Sequence, residues 1–291
     1  MQIRGDTEVV AVLGYPVRHS CSPEMHNAAF EALGLNWCYV ALEVAPERIE
    51  AAFEGIRALG LKGVNVTIPH KEAALRLVDE AGEEARLAGA ANTVLNQGGR
   101  LKGFNTDVEG FLLAAKEGGV ALAGKRVLVL GAGGAARGIG VSLLRAGAES
   151  VVVTSRRRER AAALADTLNA LAGRAWAAAS ALEVREMAEA GPYQVVVNVT
   201  PAGMWPKVGE MPPAPWEAVA EGAAVLDTIY NPRQTMLLET AAGKGFRTLT
   251  GLGMLLYQGA LALEIWTGRE APLEVMRQAL DRALDLKKSP A

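Results

Sequence analysis

The 291-residue sequence has few of the residues that build disulfide frameworks or metal sites. It contains two cysteines, Cys21 and Cys38, and three histidines, His19, His26 and His70. Two cysteines are too few for a disulfide-rich scaffold or a cysteine-based metal site, and the histidines lack metal-ligand spacing. We therefore expect no metal site and, because so little cysteine is typical of reducing compartments, a cytoplasmic location.

Long hydrophobic runs and a strong excess of one charge are also absent. The most apolar helical segment, 252–266, includes Gln258 and Glu264 and falls short of the ~18 uninterrupted apolar residues of a membrane helix. The first residues include acids and have no long apolar core, which argues against a signal peptide. With 30 Lys and Arg against 32 Asp and Glu, the net charge of −2 gives no basic surface for nucleic acid. We expect a small-molecule partner, no nucleic acid and no membrane; the oligomeric state stays open, a homodimer included.

Short β-branched runs alternate with longer helical patterns along the chain. The runs are 9–13, 37–42, 64–67, 127–130, 151–154, 195–198, 225–227 and 248–249. This alternation is typical of parallel sheets built from βαβ units, so the expected fold class is α/β. The alanine-rich stretch 161–190 is predicted to be helical, with a break at Gly173.

A glycine-rich turn follows the strongest predicted strand, 127–130. The segment Gly131-Ala132-Gly133-Gly134-Ala135-Ala136 matches G-x-G-x-x-A and leads into a predicted helix. The first glycine allows a tight turn, the second lets a pyrophosphate approach the backbone, and the final alanine allows close packing of helix on strand. In this context the motif predicts a dinucleotide-binding site.

The next strand indicates which dinucleotide binds. An NAD site usually has an acidic residue about 20 residues after the glycines. Here the strand ends at Ser155 and is followed by Arg156, Arg157, Arg158 and Arg160. Guanidinium groups suit a 2′-phosphate, so the cluster predicts NADP; the alternative is a solvated basic turn that opens a helix.

An oxidoreductase that uses this cofactor on an alcohol also needs a group to take the hydroxyl proton. The Tyr-x-x-x-Lys pair of short-chain reductases occurs at none of the five tyrosines. Polar clusters follow the N-terminal strands instead, and they include Ser22, Lys71, Asn92 and Asp107. For Ser22 and Asp107 the alternative role is to cap a helix, which spacing alone does not decide.

Nine segments resemble, in order and spacing, the motifs of the shikimate dehydrogenases. They are HSCSPEMHN, NVTIPHK, AANT, NTD, GAGGAA, the SRR segment, NVTPAGM, DTIYNP and GLGMLLYQGA. The resemblance extends from about residue 8 to about residue 270. It implies the reversible reduction of 3-dehydroshikimate to shikimate with NADPH, a step towards chorismate and the aromatic amino acids.

The resemblance also implies a set of site residues. The catalytic pair would be Lys71 and Asp107. The substrate carboxylate would be held by Ser20, Ser22 and Tyr230, and the ring hydroxyls by Thr67, Asn92 and Gln258. The cofactor would be held by Gly131, Ala132, Gly133, Gly134 and Ala135 at the pyrophosphate, by Ser155, Arg156, Arg157, Arg158 and Arg160 at the adenosine phosphate, and by Thr228 and Gly251 near the nicotinamide.

The resemblance further implies two α/β domains with the site in the cleft between them. An N-terminal substrate-binding domain with a mostly parallel sheet would span about 1–112, and a Rossmann NADP-binding domain about 113–250. The helices of 251–291 would return to the first domain. His70 stands where some family members have an aromatic residue, and we expect it to be a positioning or surface residue.

Two alternatives remain open at this point. One is an NAD-preferring quinate/shikimate dehydrogenase, against which the arginine cluster argues. The other is a non-catalytic nucleotide-sensing protein of the same fold, against which the presence of both Lys71 and Asp107 argues. We expect Lys71 to transfer the proton, although coupled groups titrate as a pair and the formal base is not assigned by sequence.

Overall fold

The structure is a computed structural model that describes residues 2–287. The chain forms two compact units. Unit 1 comprises the residues up to Gly110 and those from Leu256 onward, and unit 2 comprises Phe111–Leu255. The resemblance implied domain boundaries near residues 112 and 250. The junctions between the two compact units lie close to these positions, inside helices Thr106–Glu117 and Leu252–Thr267.

Twelve strands occur among the described residues. They are β1 (Glu8–Gly14), β2 (Trp37–Glu43), β3 (Gly63–Val66), β4 (Glu80–Ala81), β5 (Thr93–Gln97), β6 (Arg100–Phe104), β7 (Arg126–Leu130), β8 (Ser150–Ser155), β9 (Ala177–Ala181), β10 (Tyr193–Asn198), β11 (Val219–Asp227) and β12 (Arg247–Leu249). All eight predicted runs are strands. The prediction missed β4, β5, β6 and β9.

Eleven α-helices occur over the same residues. They are α1 (Ser22–Ala32), α2 (Ile49–Leu59), α3 (Lys71–Leu77), α4 (Glu83–Ala88), α5 (Thr106–Glu117), α6 (Gly134–Arg145), α7 (Arg158–Ala172), α8 (Val184–Glu189), α9 (Met236–Gly243), α10 (Leu252–Thr267) and α11 (Leu273–Lys287). No helix within residues 2–287 is long and apolar enough to cross a membrane.

Unit 1 contains a six-stranded mixed sheet in the order β2-β1-β3-β5-β6-β4. The strands β2, β1 and β3 are parallel, and β5 runs antiparallel to both β3 and β6. The hairpin of β5 and β6 turns at Gly98 and Gly99, whose φ angles of 65° and 95° belong to the left-handed region that favours glycine. In this hairpin Thr93 lies opposite Phe104, and the backbone N–H of Asn92, the residue before β5, donates to the Phe104 carbonyl at 3.0 Å. The two ends of the hairpin, which lead to Asn92 and Asp107, are therefore neighbours.

Unit 2 contains a six-stranded parallel sheet in the order β12-β11-β10-β7-β8-β9. This is the strand order of a Rossmann domain. All strands are parallel, and the order in which the chain adds them to the sheet reverses between β7 and β10. Val127 and Val129 of β7 pack in one apolar cluster, and Leu128 and Leu130 pack in another. The strand is thus covered on both faces, as its uninterrupted apolar run predicted.

The helical prediction for 161–190 is only partly right. Helix α7 ends at Gly173, which adopts the left-handed conformation with φ 64°. The residues that follow form strand β9, which pairs in parallel with β8. The side chain of Asn169 accepts the backbone N–H groups of Trp176 and Ala177, each at 2.7 Å, and donates to the Ala177 carbonyl at 2.9 Å. Strand pairing and this asparagine thus override the helix propensity of the alanines.

Candidate functional site

Lys71 and Asp107 form an ion pair in unit 1. Lys71 is the first residue of α3 and Asp107 is the second residue of α5. Lys71 Nζ donates to Asp107 Oδ2 at 2.6 Å, with side chains that are 22% and 15% exposed. A charge pair sheltered to this degree is screened less than a surface pair, yet a ligand can still reach it.

The start of α5 is capped by Asn105, not by Asp107. Asn105 Oδ1 accepts the backbone N–H groups of Asp107 at 3.1 Å and Val108 at 3.4 Å, and Asn105 Nδ2 donates to the Ala90 carbonyl at 2.9 Å. The capping role considered for Asp107 is therefore wrong. Its carboxylate is directed to Lys71 instead.

His70, the residue before Lys71, is buried and makes a side-chain contact with the backbone. Its side chain is 2% exposed, and Nε2 lies 2.7 Å from the carbonyl oxygen of Val44, which follows β2. Since a carbonyl only accepts, Nε2 is the protonated nitrogen in this contact. The surface location considered for His70 is wrong. Its contact ties the start of α3 to the end of a neighbouring strand.

Asn92 lies beside the start of α5 and is buried. Its Oδ1 accepts the backbone N–H of Thr106 at 2.7 Å, and its Nδ2 donates to Thr106 Oγ1 at 3.0 Å. An amide nitrogen has two hydrogens, and this bond uses one of them. The contact places the Asn92 amide next to the residue that precedes Asp107.

Ser20 and Thr67 lie on loops that follow two adjacent parallel strands, and Ser22 begins the helix after the first of these loops. Ser20 Oγ accepts the backbone N–H of Ser22 at 3.2 Å. Ser22 is the first residue of α1, and Cys21 holds the N-cap position, so the capping role considered for Ser22 is wrong. Thr67 follows β3, and its N–H donates to the Leu13 carbonyl of β1 at 2.9 Å. The carboxyl ends of β1 and β3 thus bring both loops to one edge of the sheet, where ligands of open α/β sheets bind.

Gln258 of α10 packs against the helix that bears Asp107. A Cβ atom placed on Gly110 of α5 would lie 2.8 Å from the Gln258 backbone nitrogen and 3.0 Å from its Cβ. Asp107 and Gly110 are three residues apart and share one helix face. Within unit 1 the returning helix therefore brings Gln258 to the surroundings of the ion pair.

The glycine-rich turn of unit 2 presents a bare helix end. Gly131 has φ +116°, and a Cβ there would lie 2.9 Å from Thr200 Cγ2, so the position requires glycine. Gly133 is the N-cap of α6 and provides no side-chain cap. A Cβ on Gly133 or Gly134 would meet no atom within 4 Å among the residues that the structure describes. This open N-terminus, which includes Ala132 and Ala135, fits a pyrophosphate held by backbone N–H groups.

The arginines after β8 are not equivalent. All of them are exposed, but Arg158 NH1 donates to both carboxylate oxygens of Glu186, at 3.1 and 3.3 Å. Glu186 is itself held, since its Oε2 accepts the N–H of Ala181 at 3.1 Å. Arg156 and Arg157 lie in the exposed turn between β8 and α7, where Ser155 Oγ accepts the N–H of Arg157 at 3.2 Å, and Arg160 is exposed in the first turn of α7.

Thr228 and Gly251 are close neighbours in unit 2. The N–H and Oγ1 of Thr228 both donate to the Asn198 carbonyl, each at 3.0 Å. The N–H of Gly251 donates to Ile229, and a Cβ on Gly251 would overlap the Thr228 carbonyl. Both residues border a small recess lined by Phe111, Ala114, Leu226, Asp227, Thr228, Leu249, Thr250, Gly251 and Met254.

Asp227 is a buried carboxylate that sequence reasoning missed. It is 2% exposed and accepts hydrogen bonds from Asn198 Nδ2 at 3.1 Å, the Ile229 N–H at 3.0 Å and Thr235 Oγ1 at 2.8 Å. Burial raises the pKa of Asp227, and these three donors partly oppose that shift. The carboxylate joins the ends of β10 and β11 to Thr235, the N-cap of α9. Only the DTIYNP segment gave a signal here, and it drew attention to the residues after the aspartate.

Tyr230 lies in unit 2 after β11, whereas Ser20 and Ser22 lie in unit 1. Their joint role in holding a carboxylate stays a prediction. Within residues 2–287 no three His, Cys, Asp or Glu side chains are grouped so that they could hold a metal ion.

Family models match most of the chain. Residues 12–94 match the shikimate dehydrogenase substrate binding domain, 113–190 match shikimate / quinate 5-dehydrogenase, and 251–280 match the shikimate 5′-dehydrogenase C-terminal domain. The chain is 46% identical over 282 residues to shikimate dehydrogenase (NADP(+)) of Methanopyrus kandleri, covering 96% of this chain and 97% of that protein.

Solved structures are similar over nearly the whole chain. A shikimate dehydrogenase in complex with NADP+ superposes with a TM-score of 0.89 at 37% identity, covering 97% of this chain and 98% of that one. Shikimate 5-dehydrogenase from Thermus thermophilus, in complex with NADP(H) and shikimate, superposes with a TM-score of 0.84 at 42% identity, covering 95% and 100%.

Proposed function

The chain belongs to the shikimate dehydrogenase family, and we propose that it interconverts 3-dehydroshikimate and shikimate with NADPH and NADP+. The observation that supports this most directly is the 2.6 Å contact between Lys71 and Asp107, since it supplies the proton-handling pair that the reaction needs. The reaction is a step in chorismate and aromatic amino acid biosynthesis.

We propose that Lys71 and Asp107 act on the C3 oxygen of the substrate. The cofactor, when bound, would accept the hydride as NADP+ during oxidation and supply it as NADPH during reduction. In the oxidising direction Lys71 first releases one proton of its ammonium to solvent; the neutral Nζ then takes the hydroxyl proton as the hydride leaves, and Asp107 keeps the resulting ammonium paired. In the reducing direction the ammonium returns the proton to the oxygen. Because the two side chains are in direct contact at 2.6 Å, we assign the acid and base role to the pair.

The substrate's polar groups are assigned to further side chains. We propose that Ser20, Ser22 and Tyr230 hold the carboxylate, and that Thr67, Asn92 and Gln258 hold ring hydroxyls. The loops after β1 and β3, the contact of Asn92 with Thr106, and the packing of Gln258 on Gly110 support this assignment for the residues of unit 1. Donors fixed in this way disfavour analogues that lack a hydroxyl, because each missing group leaves a donor unpaired.

The cofactor is assigned to unit 2. We propose that the turn Gly131, Ala132, Gly133, Gly134 and Ala135 binds the pyrophosphate, and that Thr228 and Gly251 lie near the nicotinamide. Ser155, Arg156, Arg157 and Arg160 would hold the 2′-phosphate. Arg158 was expected to join them, but its contacts with Glu186 reduce its share in that role.

The test is a steady-state assay of the purified chain with shikimate or quinate and with NADP or NAD. We expect turnover of shikimate with NADP at a kcat/KM about 10- to 100-fold above that with NAD. This ratio corresponds to the free energy that charge-assisted hydrogen bonds to the 2′-phosphate contribute to binding. Equal values for the two cofactors, or preferred turnover of quinate with NAD, would favour the catabolic alternative. Nucleotide binding without turnover of either substrate would favour a sensor. A cytoplasmic location and a homodimer stay predictions from the sequence.

A further inference from the structure

Helices α5 and α10 approach each other closely at Gly110 and Gln258. A Cβ on Gly110 would lie 2.8 Å from the Gln258 nitrogen, 3.0 Å from its Cβ and 3.1 Å from its Cα. Two of these atoms are backbone, so a change of rotamer cannot relieve the overlap. By contrast, a Cβ on Gly55 of α2 would meet nothing within 4 Å in the described part of the chain. Gly110 is thus a glycine that its packing partner requires.

A second side of α10 is packed against α1 and strand β5. A Cβ on the next residue, Gly259, would overlap the Met25 side chain of α1. Further along the helix, Trp266 Nε1 donates to the Val94 carbonyl of β5 at 2.9 Å. With α1 and the sheet fixed behind it, α10 has little room to withdraw from α5 without breaking these contacts.

Gly110 lies one helical turn after Asp107 on the same face of α5. The backbone atoms of Gln258 therefore rest one turn away from the carboxylate that holds Lys71 Nζ at 2.6 Å. The separation of α5 and α10 sets the distance between the Gln258 amide and the ion pair.

We propose that Gly110 is a positioning residue for substrate binding. Because Gly110 has no side chain, α10 can approach α5 closely enough for the Gln258 amide to reach a hydroxyl on the ring of the substrate. The inference rests on the proposed role of Gln258 as a ligand of a ring hydroxyl. Any side chain at position 110 moves Gln258 away from the Lys71–Asp107 pair, so the substrate loses one of its contacts. The cofactor, assigned to unit 2, does not depend on this contact.

The first test compares Gly110→Ala with Gly55→Ala, a matched control that adds the same methyl group to a helix at an open position. We expect Gly110→Ala to raise KM for shikimate on the order of 10- to 100-fold, as misplacement of a binding group does. KM for NADP should stay within about twofold of the wild-type value, and Gly55→Ala should leave both constants unchanged. An unchanged KM for shikimate in Gly110→Ala would overturn the proposal.

The second test asks whether Gly110 acts through Gln258. Gly110→Ala is introduced into Gln258→Ala, and the effect on KM for shikimate is compared with its effect in the wild type. We expect the effect to shrink to less than about twofold, because the displaced amide is no longer there. An equal effect in both backgrounds would show that Gly110 acts by another route.

A milder variant covers the case in which Gly110→Ala does not fold. A Cβ on Gly253 of α10 would lie 3.2 Å from the Ala114 Cβ of α5, so Gly253→Ala presses on the same helix pair less severely. We expect a two- to fivefold rise in KM for shikimate, on the order that a slight shift of one contact produces, and no rise would count against the proposal. If the wild type itself does not turn over shikimate, the proposed function fails; if only the Gly110 and Gly253 effects are missing, this inference alone fails.

Discussion

Arg158 and Glu186 form a two-pronged contact, with Arg158 NH1 3.1 and 3.3 Å from the two carboxylate oxygens. The contact joins the first residue of α7 to α8. The contact distinguishes Arg158 from the three other arginines that follow β8. The run of like charges in the sequence does not predict this difference.

The arginines that we propose to bind the 2′-phosphate should therefore differ in effect from Arg158. We expect Arg156→Ala and Arg160→Ala each to raise KM for NADP by about tenfold or more, since each removes a charge-assisted bond to the 2′-phosphate. Arg158→Ala should change KM for NADP less than about threefold and stability little, because the pair is exposed. KM for NAD, which lacks the phosphate, serves as the control. A larger effect of Arg158→Ala than of the other two would contradict the assignment.

Removal of the lysine should reduce turnover much more than binding. We expect Lys71→Ala to lower kcat by roughly 10²- to 10⁴-fold with little change in KM for shikimate, because proton transfer occurs in the transition state. Lys62→Ala is the matched control, since Lys62 also forms an ion pair in unit 1, with Glu8 at 3.2 Å. Near-normal turnover of Lys71→Ala would refute its catalytic role.

Asn105 should matter for stability and for the geometry of Asp107. Asn105→Ala removes the cap of α5 and leaves the buried Ala90 carbonyl without its donor. We expect the free energy of unfolding to fall by about 1–3 kcal/mol. Asn105→Asp retains an oxygen for the cap but not the donor, so its loss should be smaller. Urea denaturation measures both; equal stability of wild type and Asn105→Ala would exclude the capping role.

Asp227 should make stability depend on pH. Because burial raises its pKa in the folded state, the folded protein binds the proton more tightly than the unfolded chain. Its contribution to stability is therefore fully present below the ordinary aspartate pKa and declines as pH rises through the folded-state pKa. Asp227→Asn does not titrate. We expect the stability of the wild type relative to Asp227→Asn to fall as the pH rises from the ordinary aspartate pKa, about 4, through the folded-state pKa, at up to ~1.4 kcal/mol per pH unit within the titration range.

The measurement is the free energy of unfolding of both proteins in denaturant at a series of pH values. Subtraction removes the titration of groups that the two proteins share. A difference that rises with pH would mean that the folded-state pKa lies below the ordinary value.

Asp227→Ala, which leaves the Ile229 N–H and the Thr235 hydroxyl without their acceptor, should also raise KM for NADP, because the loop of Thr228 loses its anchor.

Local pattern predicted the parallel strands and the glycine-rich turn because both depend on neighbouring residues. The β5–β6 hairpin was within reach too, since Gly98-Gly99 between two short runs is a hairpin signal. It was missed because its strands are partly polar. Strand β9 was out of reach, because alanines form a strand there only through pairing with β8 and through Asn169.

Sequence motifs identified candidate site residues. They did not predict which contacts those residues make when the partner is distant in the sequence. Asn105 and Asp107 are both plausible caps in sequence, and only the contact of Lys71 with Asp107 separates their roles. Glu186 lies 28 residues after Arg158, and no local pattern links the two. The requirement for glycine at position 110 likewise arises from Gln258, a residue that follows in sequence only after the whole of unit 2.

The arrangement of the two units has a consequence for synthesis on the ribosome. Unit 2 is one continuous stretch, Phe111–Leu255, whereas unit 1 needs residues from both sides of it. Helix α1, made early, packs against α11, which is translated after the whole of unit 2. Since domains fold as they emerge, the cofactor unit can complete its sheet while the substrate unit, begun first, still waits for α10 and α11. Gln258 is thus translated after all of unit 2, so we expect the proposed substrate site to be completed after the proposed nucleotide site.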